Sequence, residues 1–276
     1  MAERAPAADT EPDALTASRR ALARTEVALA SDAATLAWLA GPGARPHGPL
    51  LTAAQRTLRK LASDFDANAW LGTHSLHLAG RASFERLLGL EPGAHLGGRL
   101  LDVGAGTGEV TAELAPLFDE VVTTDVSRGM ARRLEQRGFT CLRVDLAHDT
   151  PPGLGRFRVV SLLNVLDRAA RPATLLDRAV AHLEPGGRLL VSSPLPMRPH
   201  VQGAGTTREP DEWIAGRGEA FDDALAELVA LELTPRGVEL ERWARTLYRS
   251  QGDAAHPLYE LPCAILVARQ AAVPRA

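Results

Sequence analysis

From Arg99 onward, short aliphatic runs alternate with helical patterns, and this alternation limits the possible folds more than any other feature. The runs are Leu100–Val103, Val121–Thr124, Cys141–Val144, Arg158–Leu163 and Arg188–Ser192. Between them, Glu109–Phe118, Arg128–Arg137 and Arg171–Leu183 carry helical spacing. Strands that are apolar throughout need cover on both faces, which is the pattern of a parallel sheet with helices on each side. Glu184-Pro185-Gly186-Gly187 reads as the turn that ends the last of these helices before its strand. Beyond lie a Pro/Gly-rich loop (Pro194–Gly218), a helix over about Glu219–Leu233 and two late strands, Val238–Tyr248 and Leu261–Ala268. There are no internal repeats.

The preceding segment is helical in texture. Leu15, Leu22, Val27, Leu29, Leu36 and Leu39 give Ala14–Ala40 a helical spacing that Gly41-Pro42-Gly43 ends. Further helices are expected over Leu50–Asn68 and Ala82–Gly89. The expected organisation is therefore a polar, disordered tail at 1–13, a helical N-terminal cap or extension at 14–98, and one catalytic domain at 99–276.

Composition narrows the partners. The 276 residues carry a net charge of -3, which gives no bulk support to nucleic-acid binding. No apolar run approaches the roughly 18 residues of a membrane span, and Met1–Asp13 lacks the regions of a signal peptide. Cys141 and Cys263 form no close pair, so buried thiols in a reducing, cytoplasmic setting are expected. Lys60 is the only lysine, and there are two asparagines (Asn68, Asn164) and two tyrosines (Tyr248, Tyr259). Scarcity of residues with AT-rich codons marks a GC-rich genome; it also makes each Asn and Tyr slightly more telling.

The strongest local motif is Leu100-Leu101-Asp102-Val103-Gly104-Ala105-Gly106-Thr107-Gly108-Glu109, at a strand end and opening a helix. Glycines there let the backbone approach a ligand and take turn geometries that a Cβ forbids. A side chain at Gly104 would fill the space of that approach. The spacing is GxGxG, where the dinucleotide fingerprint is GxGxxG. Asp125 follows the second strand, 17 residues after Gly108, placed to accept from both ribose hydroxyls. The third strand ends in Val144-Asp145-Leu146, where Asp145 can accept from an adenine amino group while Leu146 packs on the ring. A tight strand–helix turn in another Rossmann-like protein is the alternative reading.

In this order, the three strand-end features resemble the class I methyltransferases that use S-adenosyl-L-methionine. The resemblance implies a Rossmann-like α/β fold, with a seven-stranded, mostly parallel sheet, helices on both faces and an N-terminal helical extension. The cofactor-binding residues would be Asp102, Gly104, Ala105, Gly106, Gly108, Asp125, Val126, Asp145, Leu146 and Asn164. Asp102 more often fixes the loop than touches the cofactor, although a contact with the methionine amino group is the alternative.

The fourth strand ends in Asn164-Val165-Leu166-Asp167-Arg168. With it the chain resembles the protein-L-histidine N-pros-methyltransferases of the DREV family, from about Trp70 to Arg269. The resemblance takes in Gly72, Phe84–Leu88, Leu100–Thr111, Asp125-Val126-Ser127, Phe157–Arg168, Leu175–Ser192, Pro196–Val201 and Tyr259–Ala268. The N-x-L-D-R ending and the late tyrosine are its more specific parts. It implies methyl transfer to the pros nitrogen of histidine in a peptide or protein, in His-x-His motifs. A ribosomally made precursor peptide is one such substrate in a bacterial setting, with no nucleic-acid or membrane partner. Asp167 would accept from the tele N–H, Tyr259 would position the ring or bind the peptide, and Asn164 would lie beside the methionine portion. The alternatives are a surface ion pair of Asp167 with Arg168 or Arg171, a core role for Tyr259 and a turn role for Asn164.

Asp125 departs from the glutamate usual in the family, and His200 stands where the family tends to have an aromatic; it either lines the groove or is solvated. His74 and His77 have poor spacing for two ligands, and no metal site is expected. The competing functions are a small-molecule O- or N-methyltransferase of secondary metabolism and a non-catalytic cofactor-binding regulatory module.

Overall fold

The computed structural model describes residues 11–253 and 255–271. The N-terminal extension comprises α1 (Glu11–Thr25), α2 (Ala33–Ala40), α3 (Pro49–Leu58), α4 (Asp64–Leu71), β1 (Leu76–His77) and α5 (Arg81–Leu88). Glycine-loop strand β2 (Arg99–Val103) follows, then α6 (Glu109–Leu114), β3 (Glu120–Thr124), α7 (Arg128–Gln136), β4 (Thr140–Leu142) and β5 (Phe157–Leu163). Next come α8 (Pro172–Ala181), β6 (Leu183–Pro194), a small hairpin of β7 (Val201–Gly203) and β8 (Thr206–Arg208), α9 (Phe221–Glu227), β9 (Val238–Gln251) and β10 (Leu258–Gln270).

Eight strands form one sheet in the order β1-β9-β10-β6-β5-β2-β3-β4. The central pairs β6/β5, β5/β2, β2/β3 and β3/β4 are parallel, whereas β10 joins β6 and β9 antiparallel. This is the class I methyltransferase architecture expected, with one strand more than seven. The addition is β1, two residues of the extension paired to the β9 edge through Leu76↔Ser250 and His77↔Arg249. A pair this short leaves no period-2 pattern to read.

Consecutive residues Leu100 and Leu101 are both fully buried, so β2 is covered on both faces. On one face Leu101, Val160, Leu189 and Leu266 pack with Leu22 of α1, Leu175 and Leu176 of α8, and Leu225 of α9. On the other, Leu100, Val159, Leu190 and Ile265 pack with Phe84 and Leu87 of α5 and Leu114 of α6.

Three boundaries differ from expectation. The stretch expected as one helix over 14–40 is two, because Asp32 caps α2 by accepting from Thr35 N–H at 2.8 Å. The 50–68 helix divides likewise, Ser63 capping α4 through Asp66 N–H at 3.1 Å. Glu184-Pro185-Gly186-Gly187 lies inside β6, not before it: Leu183 already pairs with Phe157, and the next pair is Val159↔Arg188. Burying Leu183 against the core starts the strand ahead of the turn. Of the expected tail, residues 1–10 lie outside the described residues and Glu11–Asp13 are helical.

Carboxylates tie the extension together and dock it onto the sheet domain. Asp32 accepts from Gly80 N–H (2.9 Å) and Ser83 Oγ (2.6 Å). Asp66 on α4 accepts from Ser127 Oγ (2.6 Å) and Gly129 N–H (3.1 Å), capping α7 from outside. Glu109, the first residue of α6, accepts from Ser75 Oγ (3.0 Å) and Leu76 N–H (2.6 Å). No helix among the described residues is long and apolar enough to cross a membrane.

Candidate active site

Strand order reverses between β2 and β5, so the chains leave these two neighbours in opposite directions and open a crevice at their carboxyl ends. A cavity of about 400 Å³ sits there. The glycine loop after β2, Asn164 and Asp167 after β5, Tyr248 of β9 and Tyr259 of β10 line it. The extension closes it from the other side with His47, Gln55, Arg59, Asp64, Phe65 and His74. Among the described residues there is no cluster able to hold a metal ion.

The loop glycines are required for different reasons. Gly104, Gly106 and Gly108 all have left-handed backbone (φ 69°, 56° and 76°). A Cβ on Gly104 would strike Val165 Cγ2 at 2.7 Å, and one on Gly108 would strike Leu134 at 2.8 Å. Only a Cβ on Gly106 would enter open space, its nearest neighbour being Gly104 O at 4.0 Å. The expectation that a side chain at Gly104 fills the ligand's space is thus corrected: it meets Val165 first, and Gly106 is the open cradle. Asp102, beneath the loop, has both carboxylate oxygens occupied, by Thr111 Oγ1 at 2.6 Å and Ser161 Oγ at 2.7 Å. It ties β2 to α6 and β5, and burial raises its carboxyl above the usual range.

Asp125 directly follows β3 and accepts from Ser127 N–H at 2.8 Å and Gly106 N–H at 2.9 Å. Burial pushes its carboxyl up to about 6, against those two hydrogen bonds. It stands behind Gly106, joined to the loop, and is not itself on the cavity wall. Val126 beside it is 61% exposed, an unusual position for a large aliphatic side chain at a strand end. Asp145 lies three residues past β4, its oxygens taken by Ala147 N–H (2.9 Å) and His148 Nδ1 (2.8 Å). Leu146 is corrected: its side chain is buried in the core beside the sheet, not turned outward to pack on a ring. An aliphatic side chain gains more from that core than from the solvent edge.

At the end of β5, Asn164 has φ 55° and is fixed by Ser192, whose carbonyl accepts its N–H and whose Oγ donates to its Oδ1, both at 3.0 Å. It is a turn residue and a cavity residue at once. Asp167 is only 4% exposed. Arg168 NH1 holds its Oδ2 at 2.6 Å, but Oδ1 has no hydrogen-bond partner. The pair with Arg168 is thus buried at the carboxylate, while Arg171 binds Glu212 instead. Burial raises the Asp167 carboxyl, and Arg168 opposes the shift. Tyr259 is 44% exposed and stacks on His256 with ring centroids 5.7 Å apart, so it is not a core residue. His200 is not on the cavity wall; its N–H donates to the Asp167 carbonyl at 3.0 Å.

The extension's cavity residues escaped the reading of the sequence, as did Tyr248 of β9. Tyr248 is the other of the two tyrosines, and its scarcity was the available signal. Burial, reinforced by the charge of Asp167, raises its phenol and keeps it a neutral donor. His74 was set aside for its spacing to His77, which instead contacts Thr35 Oγ1 at 2.8 Å in the extension.

The family model for the DREV methyltransferases matches residues 24–270, nearly the whole chain. The chain belongs to the DREV methyltransferase family. The match begins well before Trp70, so the extension is part of the DREV unit and not an addition to it. The cofactor is S-adenosylmethionine, and the open space over Gly106 is where this loop can admit a ligand. Curated relatives resemble this DREV chain over shorter stretches. A cobalt-precorrin-6B C(15)-methyltransferase of Salmonella typhimurium is 31% identical over 105 residues, 36% of this chain and 53% of the relative. A ubiquinone biosynthesis O-methyltransferase of Ruegeria pomeroyi is 37% identical over 119 residues, 40% of this chain and 46% of the relative. The chain thus spans about half the length of the curated relatives it matches. Among solved structures, N-methyltransferase NodS from Bradyrhizobium japonicum with S-adenosyl-L-homocysteine aligns at 19% identity and a TM-score of 0.42, covering 64% of this chain and 78% of NodS.

Proposed function

We propose that this protein transfers a methyl group to the pros nitrogen of histidine in a peptide or protein, in a His-x-His setting. What carries the reading is Asp167 Oδ1, a buried carboxylate oxygen on the cavity wall without a protein partner. Such an oxygen is costly to bury unless a ligand donor completes it. An imidazole N–H is a donor of the right kind, and the family resemblance at Asn164–Arg168 points to the same residue.

S-adenosylmethionine, when bound, supplies an electrophilic methyl on sulfur. A neutral imidazole, with an ordinary pKa of about 6.5, needs no strong base before it attacks. The task of Asp167 is therefore tautomer selection: accepting from the tele N–H leaves the lone pair on the pros nitrogen. The same carboxylate stabilises the positive charge that the ring acquires and receives the tele proton afterwards. Arg168 holds the other oxygen and so fixes which one faces the ring. Tyr259 and Tyr248 supply hydroxyl donors and ring faces around the imidazole, and Asn164 borders the methionine end. Most of the acceleration comes from holding lone pair and methyl in line.

The test is incubation with methyl-labelled cofactor and a His-Ala-His peptide, with the product mapped by mass spectrometry. Label on a histidine is expected. Label on a small metabolite instead would favour an O- or N-methyltransferase of secondary metabolism; the Ruegeria relative is named as an O-methyltransferase of ubiquinone biosynthesis. Cofactor binding without transfer to any acceptor would favour a regulatory module.

A further inference from the structure

Two non-glycine residues among those described have left-handed backbone, Asn164 and His74 (φ 67°), and both line the cavity. L side chains adopt that region rarely, and such outliers gather where a site needs a group aimed in one direction. The chain is held tightly on both sides of His74. Thr73 N–H donates to Asn68 O (3.0 Å) and Thr73 O accepts from Arg133 NH1 (3.2 Å). Ser75 and Leu76 are bound by Glu109, the residue after the last loop glycine. His74 is thereby fixed beside the glycine loop. Its Nδ1 lies 3.4 Å from Ser250 Oγ, and among the described residues its ring has no other hydrogen-bond partner.

Four N–H groups of the glycine loop are already committed. Gly104 and Ala105 N–H both donate to Thr124 O, at 2.9 and 3.0 Å. Gly106 N–H is taken by Asp125 at 2.9 Å, and Gly108 N–H by Ala105 O at 3.0 Å. The two arginines on the cavity wall are also committed, Arg59 to Asp64 and Arg168 to Asp167. The methionine portion of the cofactor carries a carboxylate that needs a donor next to this loop. His47, the other imidazole on the wall, faces Asp253, whose charge acts on it.

We propose that the imidazole of His74 receives the α-carboxylate of S-adenosylmethionine. The inference rests on the cofactor and is independent of the methyl acceptor. Asp64, Arg59, His47 and Arg133 are the charged and titratable groups facing His74, and burial holds the free imidazole below its ordinary range. A carboxylate beside the ring favours the imidazolium. The bound-state pKa is then above the free-state one, so the extra affinity is greatest at low pH and is lost as pH rises through the bound value.

The experiment is calorimetry on the full chain with S-adenosylhomocysteine and its decarboxylated analogue, which keeps the adenosine, the thioether and the amine. His74→Gly suits the left-handed backbone, and His74→Asn keeps a neutral donor in the same conformation. His74→Gly is expected to weaken S-adenosylhomocysteine about 10- to 100-fold, as for a charge-assisted hydrogen bond, and to leave the analogue unchanged. In the unsubstituted protein, the preference for S-adenosylhomocysteine over the analogue grows as pH falls; in His74→Asn it does not. Because both ligands carry the same adenosine, any effect of Asp125 titration on that portion cancels in the ratio. Equal weakening of both ligands would assign His74 a structural role and overturn the inference, as would no weakening of either. Failure of the unsubstituted protein to bind either ligand would overturn the cofactor assignment and this inference with it.

Discussion

Asp167 carries two burdens, since burial disfavours its charge while the proposed chemistry requires it. Its raised carboxyl titrates above the usual range, so transfer falls as pH drops through that value and through the substrate imidazole near about 6.5. Asp167→Asn is expected to bind S-adenosylhomocysteine as before and to lose about 10²- to 10⁴-fold in transfer, read from kcat at saturating cofactor. It also removes a buried charge that is only half satisfied, Oδ1 having no partner, and Arg168 is open enough for water to solvate it, so the variant should melt no lower than its parent. A drop in both cofactor affinity and melting temperature would make Asp167 a structural residue. Asp125 titrates with the opposite consequence for the free protein. Its folded value of about 6 exceeds the ordinary carboxylate value, so its contribution to stability is full below about 4 and is lost as pH rises through 6. Ribose hydroxyls donating to Asp125 would favour the ionised form: S-adenosylhomocysteine would then weaken as pH falls below about 6 and Asp125→Asn would lack that dependence, whereas the same profile in both proteins would leave Asp125 as an anchor of the loop.

At the scale of elements, the cavity depends on how the extension is stapled to the sheet. Asp66 joins α4 to the start of α7 through Ser127 and Gly129. Asp66→Ala removes these acceptors and is expected to cost about 1–3 kcal/mol of local stability. Hydrogen exchange would then quicken over residues 49–71 and stay slow in β2, β5 and β6; uniform quickening would show that the staple supports the whole fold. This is also where sequence and structure diverge. The central strands were legible because continuous apolar runs bounded by turns have few other uses, and the glycine loop because its spacing is rare. β1 was not legible, since two residues set no period, and neither was the paired start of β6, where Leu183 enters the core ahead of a turn motif. Leu146 was misread for a related reason: its position in the chain was right for a ligand, but the nearby core claimed its side chain.

Seen as one molecule, the extension and the sheet form a single site. His74, Arg59 and Gln55 from one side meet Asn164, Asp167 and Tyr259 from the other across the same cavity. The sheet half of that site could be named from strand ends and the N-x-L-D-R segment; the extension half could not, because its residues are brought in by docking contacts that no local pattern announces. Tyr248 lay in between, visible only as one of two tyrosines within a strand. The near-neutral net charge of -3 suits a site that recognises its substrate by placed polar groups such as these. The most direct measurement is NMR assignment of the methylated nitrogen after reaction of a His-Ala-His peptide with isotopically labelled S-adenosylmethionine. Methyl on the pros nitrogen, lost in Asp167→Asn, is the result predicted; methyl on the tele nitrogen, or undiminished transfer by Asp167→Asn, would contradict it.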